Sequence, residues 1–409
     1  MNLDTFIGSQ SKIIKNEFVK RVLRIFKDVT MSSLFFVLLL LTFKRRKPIP
    51  KKIKNILVIS LPGGIGDEII VSSIYEMIKS KFGSAKITVG LLGERTKPVI
   101  VNNPYVDEIF VIGNLLDPFN LRKSVVYLRR YCFDAVICSY PSSFVAPFLA
   151  SLIRKGHVIS HKYRLGYFKN CSFLIDSPVE VRSAHNVIKN QDLLCPLGIK
   201  NIKNPPKIYV DKKEMTNMKR FLRSKNIKSS DKMIGFHPGT NWGFSKIPNF
   251  YSDLLSLIIK NYPKFKILVF IGPSEDRFVT KVLKGVKDNK NIVLVEDFAL
   301  TKVFELLRMC TFFVSNDGGL AHASSAVGTR TFALFGPTDY KATGPFGEDS
   351  FVIREDLSCS PCYDLYRDMV CIFPKKDLNR NYFRCVYALN AEEVMVEIKN
   401  INRKCKQKN

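Results

Sequence analysis

The chain has 409 residues, enough for two or three domains, and its 46% hydrophobic and 24% charged residues support a buried core and exclude a disordered chain. Lys and Arg number 64 against 36 Asp and Glu, a formal charge of +28, which favours an anionic partner: nucleic acid, an acidic membrane surface or a phosphorylated substrate. The ten cysteines are scattered through strand-like and helix-like segments, such as those holding Cys138, Cys195 and Cys310. That scatter argues against a small disulfide-stapled scaffold and reads as thiols of a reducing compartment.

Residues 1–53 differ from the rest. Between Lys12 and Lys27, Ile14, Phe18, Val22 and Ile25 recur at spacings of three and four, with Lys15, Lys20, Arg21, Arg24 and Lys27 on other faces. This is a basic amphipathic helix pattern. An apolar run from Met31 to Phe43 follows and ends at Lys44, Arg45, Arg46 and Lys47. A transmembrane helix needs about 20 residues, so this shorter run reads as an interfacial segment. No small-residue cleavage site follows it, which disfavours a signal peptide. The expectation is a membrane-associating extension that holds the protein peripherally on the inner face of the cytoplasmic membrane.

Residues 54–205 alternate strand and helix patterns. Lys54 to Ser60 (KNILVIS) reads as a buried strand, Pro62 to Asp67 as a turn, and Glu68 to Phe82 as a helix. Lys86 to Leu92, Val106 to Ile112 and Ala135 to Ser139 read as further strands. Such alternation predicts a parallel sheet with crossover helices. A linker rich in Asn, Pro and Lys spans about 202–208. The pattern restarts over 206–390. Strands are expected at Lys232–Phe236, Lys266–Ile271, Asn291–Val295, Thr311–Val314 and Thr331–Phe335. Helices are expected at Asn249–Tyr262, Asp276–Lys287, Thr301–Met309 and Leu320–Val327. Residues 391–409 hold the last helix and a basic tail. The fold class is α/β: two Rossmann-like, doubly wound domains facing a central cleft, where the carboxyl ends of the strands bind ligands.

Three turns at strand ends can carry chemistry. Gly63, Gly64 and Gly66 follow the first strand and allow a tight turn before a helix start that binds anions. A nicotinamide fingerprint would need a third glycine where Ile69 stands, although Glu94 follows the second strand; that reading is weakened, not removed. Asp67 at this turn suits a general base aimed into the cleft and equally suits a helix cap. In the second half, Asp317, Gly318 and Gly319 lead into a helix with His322 one turn along it, an arrangement suited to a phosphate. Thr240 and Lys246 lie in the loop after another strand, where a hydroxyl and an ammonium would meet a phosphate. Cys359 and Cys362, followed by Cys371 and Cys385, have only a faint zinc-like spacing, and no metal is expected.

Several stretches occur in the order of one family. ILVISLPGGIGDEII, KITVGLLGERTKPVIVNNPYVDEIFVI, HPGTNWGFSKIPNF, SNDGGLAHASSAVGTRTFALFGPTD and CSPCY together resemble glycosyltransferase family 9, the lipopolysaccharide heptosyltransferases, over about residues 54–390. The resemblance implies a GT-B fold, an inverting mechanism, no cofactor, a nucleotide-diphosphate heptose donor and an anionic glycolipid or glycan acceptor. It implies Asp67 as general base, Lys246 at the donor phosphates, and Asp317, Gly318, Gly319 and His322 as the loop and helix start that hold the diphosphate. Glu275 takes the place of a carboxylate at the donor nucleoside. The chain departs from the family at Gly318, where Ser or Thr is usual, and at Ile247, where an aromatic is usual. The Gly318 departure keeps open a non-catalytic nucleotide- or glycan-binding relative. Nucleic-acid binding has no aromatic-rich basic groove behind it, and an epimerase of similar architecture remains a third reading.

Overall fold

The computed structural model describes residues 47–61, 63–115, 117–140, 145–153, 156–162, 173–239, 247–287, 290–362, 371 and 383–408. The amphipathic segment and the apolar run before residue 47 lie outside the described residues, as do Thr240 and Lys246.

The first half is one parallel sheet of β1 (Asn55–Ser60), β2 (Lys86–Leu91), β3 (Glu108–Val111), β4 (Ala135–Cys138), β5 (His157–His161) and β6 (Ser177–Val179). Its strand order is β3-β2-β1-β4-β5-β6. The second half repeats the plan with β7 (Met233–His237), β8 (Lys266–Phe270), β9 (Ile292–Val295), β10 (Phe312–Asn316), β11 (Arg330–Leu334) and β12 (Ser350–Ile353), in the order β12-β11-β10-β7-β8-β9. In each half the first strand, β1 or β7, lies beside the fourth, β4 or β10, so the crossovers diverge there and leave a crevice at the carboxyl ends. Burial on both faces explains the near-continuous apolar strands: Ile56, Leu57, Val58 and Ile59 are all fully buried. Each such side chain contributes roughly 1.5–3 kcal/mol.

The described helices are α1 (Ile65–Lys81), α2 (Lys97–Ile100), α3 (Pro118–Leu128), α4 (Val145–Ile153), α5 (Asn186–Asp192), α6 (Lys212–Ser224), α7 (Pro248–Asn261), α8 (Asp276–Lys284), α9 (Leu300–Met309), α10 (Gly319–Ala326), α11 (Tyr340–Thr343), α12 (Arg384–Tyr387) and α13 (Ala391–Lys408). Helix α1 packs on α10, and α2 on α9, so one apolar cluster runs from Ile74 and Ile78 of the first half into Phe304, Leu307 and Ala323 of the second. The closing helix α13 returns to α7 through Val394, Met395 and Ile398.

The Asn- and Pro-rich stretch is irregular, as expected, but it is pinned to both halves. Asn204 Nδ2 donates to the Ser73 carbonyl at 3.0 Å, and the Ile208 N–H donates to the Ala326 carbonyl at 3.0 Å. Strands β5, β6 and β12 and helix α6 were not anticipated. The β6 sequence, SPV, is too short for any period to show. Helix α6 buries only Met218 and Leu222, a spacing of four in an otherwise charged segment. No helix among the described residues is long and apolar enough to cross a membrane.

Candidate active site

The first wall of the site is the turn between β1 and α1. Gly64 is the N-cap of α1, which places Asp67 in the first helical turn rather than ahead of it. A cap would accept a backbone N–H, yet the Asp67 carboxylate has no hydrogen bond or ion pair among the described residues. It folds over Gly64, where a Cβ would stand 2.5 Å from Oδ2 and would make the carboxylate move. Burial pushes the Asp67 pKa above the usual carboxylate range. Of the two roles open in the sequence, the cap is not realised, and what stands at the crevice is a half-buried carboxyl without a partner among the described residues.

The facing wall is the turn between β10 and α10. Asn316 Nδ2 donates to the Pro238 carbonyl at 2.6 Å, and Asn316 accepts from the Tyr251 hydroxyl, which ties the ends of β10 and β7 together. Asp317 accepts from the Thr338 hydroxyl at 2.7 Å, and burial pushes its pKa up to about 6. Gly318 is exposed and extended, with φ 173, and a Cβ there would meet nothing within 4 Å. Gly319 opens α10 directly against the other half: its Cβ position is 3.3 Å from Ile65 and 3.6 Å from the Gly66 nitrogen. The two helix starts therefore meet, and their free N–H groups and dipoles raise the potential at one place.

His322 closes this junction. A Cβ on Gly66 would come 2.8 Å from His322 Cδ2, so glycine at 66 is what lets α1 approach α10. Burial pushes the His322 pKa down to about 4, with the nearby His185 acting in the same direction. Burial therefore favours the neutral ring. His185 comes from the first half and bridges the crevice, with Nε2 3.0 Å from the Gly344 carbonyl and its ring centred 4.7 Å from that of Phe346.

The profile of "Glycosyltransferase family 9 (heptosyltransferase)" matches residues 121–372, more than half of the chain. The chain belongs to glycosyltransferase family 9. It is 22% identical over 353 residues to lipooligosaccharide heptosyltransferase 2 of Campylobacter jejuni subsp. jejuni serotype O:2, an alignment covering 84% of this chain and 97% of that protein. It is 24% identical over 296 residues to lipopolysaccharide heptosyltransferase 3 of Escherichia coli K12, covering 69% and 83% respectively. The fold matches the solved structure of E. coli ADP-heptose lps heptosyltransferase II with a TM-score of 0.67 at 19% identity, covering 86% of this chain and 99% of that one. A family 9 glycosyltransferase from Veillonella parvula matches with a TM-score of 0.68 at 19% identity, covering 85% and 97%. The fold is thus that of family 9, a GT-B arrangement of two α/β halves.

The remaining expected residues of this family 9 glycosyltransferase divide. Glu275 sits just before α8 but turns back: its carboxylate accepts the Gly272 N–H at 2.7 Å, pairs with His237 Nε2 at 2.9 Å and fills the space above Gly239. Glu94 is exposed after the end of β2, paired with Lys97 at 3.2 Å. Cys359, Cys362 and Cys371 are electrostatic neighbours of the buried Cys385. Among the described residues no group of three or more His, Cys, Asp or Glu is arranged to hold a metal.

One residue escaped the sequence reading. Glu68, next to Asp67, is fully buried, accepting from the Ser60 hydroxyl at 2.6 Å and the Tyr75 hydroxyl at 3.2 Å. Burial pushes its pKa up to about 7, the two hydroxyl donors oppose that, and Asp67 adds to it. The available signal was Tyr75 seven residues on, two turns along the same helix face.

Proposed function

We propose that this glycosyltransferase moves a heptose from a nucleotide-diphosphate heptose to a lipopolysaccharide or lipooligosaccharide acceptor, with inversion at the anomeric carbon. The carrying observation is Asp67, a desolvated carboxylate with no partner among the described residues, on the turn that meets the start of α10. The printed identities of the relatives support the sugar, and a match to E. coli heptosyltransferase WaaC with ADP, with a TM-score of 0.63 and 15% identity, supports ADP as the nucleotide to try first.

In this reading residues 54–205 form the acceptor domain and 206–390 the donor domain. The diphosphate lies at the start of α10, with the N–H groups around Gly318 and Gly319 as donors and Thr240 and Lys246 reaching it from their loop. Neutral His322 contributes a hydrogen bond or packing, not charge. Glu275 holds the donor-side turns in place through His237 and Gly272. The acceptor hydroxyl enters from the turn of Gly63, Gly64 and Gly66. Its oxygen attacks C1 of the heptose as Asp67 takes the proton. The C1–oxygen bond to the diphosphate breaks on the opposite face and the nucleoside diphosphate leaves. A carboxylate whose pKa is raised by burial is a stronger base, in keeping with this task. Residues 1–53 would hold the enzyme at the membrane surface, where a lipid-anchored acceptor lies.

The test mixes the purified chain with ADP-heptose and a heptose-deficient lipooligosaccharide, following released ADP and the mass of the glycan. Acceptor-dependent release with a gain of one heptose is expected. ADP-heptose binding without turnover on any acceptor would instead support a non-catalytic relative.

A further inference from the structure

The first-half wall of the crevice holds a second charged feature that the transfer mechanism does not use. Lys189, on α5, is only 8% exposed. Its Nζ donates to Asn186 Oδ1 at 2.9 Å, lies 3.4 Å from the Tyr140 hydroxyl, and stands 4.6 Å from the centre of the Tyr140 ring. No carboxylate pairs with it among the described residues. Burial pulls its pKa down, with Asp339 across the crevice opposing that. Asp339 acts on it only at a distance: its carboxylate accepts the Lys341 N–H at 3.0 Å at the cap of α11 and makes no ion pair with Lys189.

The surroundings are built to hold this lysine. Tyr140 follows β4, the neighbour of β1, and so stands one strand from the Asp67 turn. Asn190, fully buried, accepts the Tyr140 N–H at 2.8 Å and donates to the Tyr140 carbonyl at 2.9 Å. His161, at the end of β5, meets the Tyr140 ring edge-on and lies 2.9 Å from the Lys189 carbonyl. An ammonium kept in such a place with no paired carboxylate among the described residues destabilises the empty protein, and an arriving anion would reverse that. A phosphoryl group suits it, since Lys acts as a point charge with one N–H still to place.

We propose that Lys189, with Tyr140 and Asn186, forms a subsite for a phosphoryl group of the acceptor. The donor's diphosphate has its own site at the α10 start, whereas Lys189 belongs to the half that carries Asp67. This assignment to the acceptor rests on the reading of the halves given above. The presence of an anion subsite does not.

The test uses the full chain, inorganic phosphate and ADP as probes, and Tm as readout. Phosphate at tenfold over its Kd should raise the Tm of the wild type by about 2 °C. Lys189→Met should keep or raise the basal Tm and reduce the phosphate shift to what the α10 start alone provides, while Lys189→Arg keeps it in full. Lys189→Gln, whose amide can still donate to Asn186, serves if the Met variant does not fold. The ADP shift should survive in all three variants. An equal phosphate shift in wild type and the uncharged variants overturns the subsite. Loss of the ADP shift in Lys189→Met overturns the acceptor assignment and gives the subsite to the donor. Absence of any ADP shift in the wild type counts against the proposed donor and leaves the phosphate comparison intact.

Discussion

Glu68 offers a quantitative check on the crevice floor. It is fully buried between Ser60 and Tyr75, and its pKa is pushed from the ordinary 4.5 up to about 7. A group whose folded pKa is raised contributes its full stability below the unfolded value and loses it as pH rises through the folded one. Folding should therefore weaken between about pH 4.5 and pH 7, by an amount of roughly 3 kcal/mol at 1.36 kcal/mol per unit. Glu68→Gln removes the titration but keeps the fit, because the Ser60 and Tyr75 hydroxyls can rotate to serve an amide. The variant should match the wild type near pH 4.5 and exceed it at pH 8 by an amount of that order. Denaturant unfolding of both proteins from pH 4.5 to pH 8 measures this. Asp317 and His322 titrate in both proteins, so the difference reports position 68 together with its coupling to Asp67. Parallel curves would refute the reasoning, since they would mean that Glu68 is ionised in the fold at no cost.

Further outcomes follow from the junction of α1 and α10. Gly66→Ala places a methyl 2.8 Å from His322 Cδ2 and should cost about 1–3 kcal/mol of stability; combining it with His322→Ala should recover part of that in a double-mutant cycle. Gly318→Ser meets open space and an extended backbone, so its folding stability should not change. The restored hydroxyl should tighten ADP binding about tenfold, the worth of roughly 1.5 kcal/mol for a hydrogen bond to a charged group, measured by calorimetry. Glu275→Ala strands the Gly272 N–H and His237, and should lower Tm while raising the KM for the nucleotide sugar. His322, whose pKa is pushed down to about 4, contributes stability above its unfolded value of 6.5 that is lost as pH falls through about 4. His322→Gln should flatten that acid limb in the same unfolding series.

The alternation of apolar strands and periodic helices made both halves legible, because parallel strands buried on two faces carry an unbroken apolar run such as Ile56 to Ile59. The edges were not legible: β6 has three residues and one of them is Pro178, so no pattern could form. The glycine turns were visible as turns, but the reason for Gly66 lies in His322, which is 256 residues away in the chain and arrives only through the packing of α1 on α10. For the same reason the neutrality of His322 could not be read from its position one turn into a helix. Asp67 could be base or cap in the sequence; only the helix start at Gly64, where the carboxylate accepts no backbone N–H among the described residues, removes the cap. Lys189 looked like one lysine among many, and only its burial beside Tyr140 distinguishes it.

The central claim is that Asp67 takes the acceptor's proton. Asp67→Asn preserves shape and removes the base, so the most direct measurement is heptose transfer by this variant beside its binding of ADP-heptose. The account predicts a fall in kcat of at least 10²–10⁴-fold with the donor Kd unchanged. Transfer at the parent rate would contradict it.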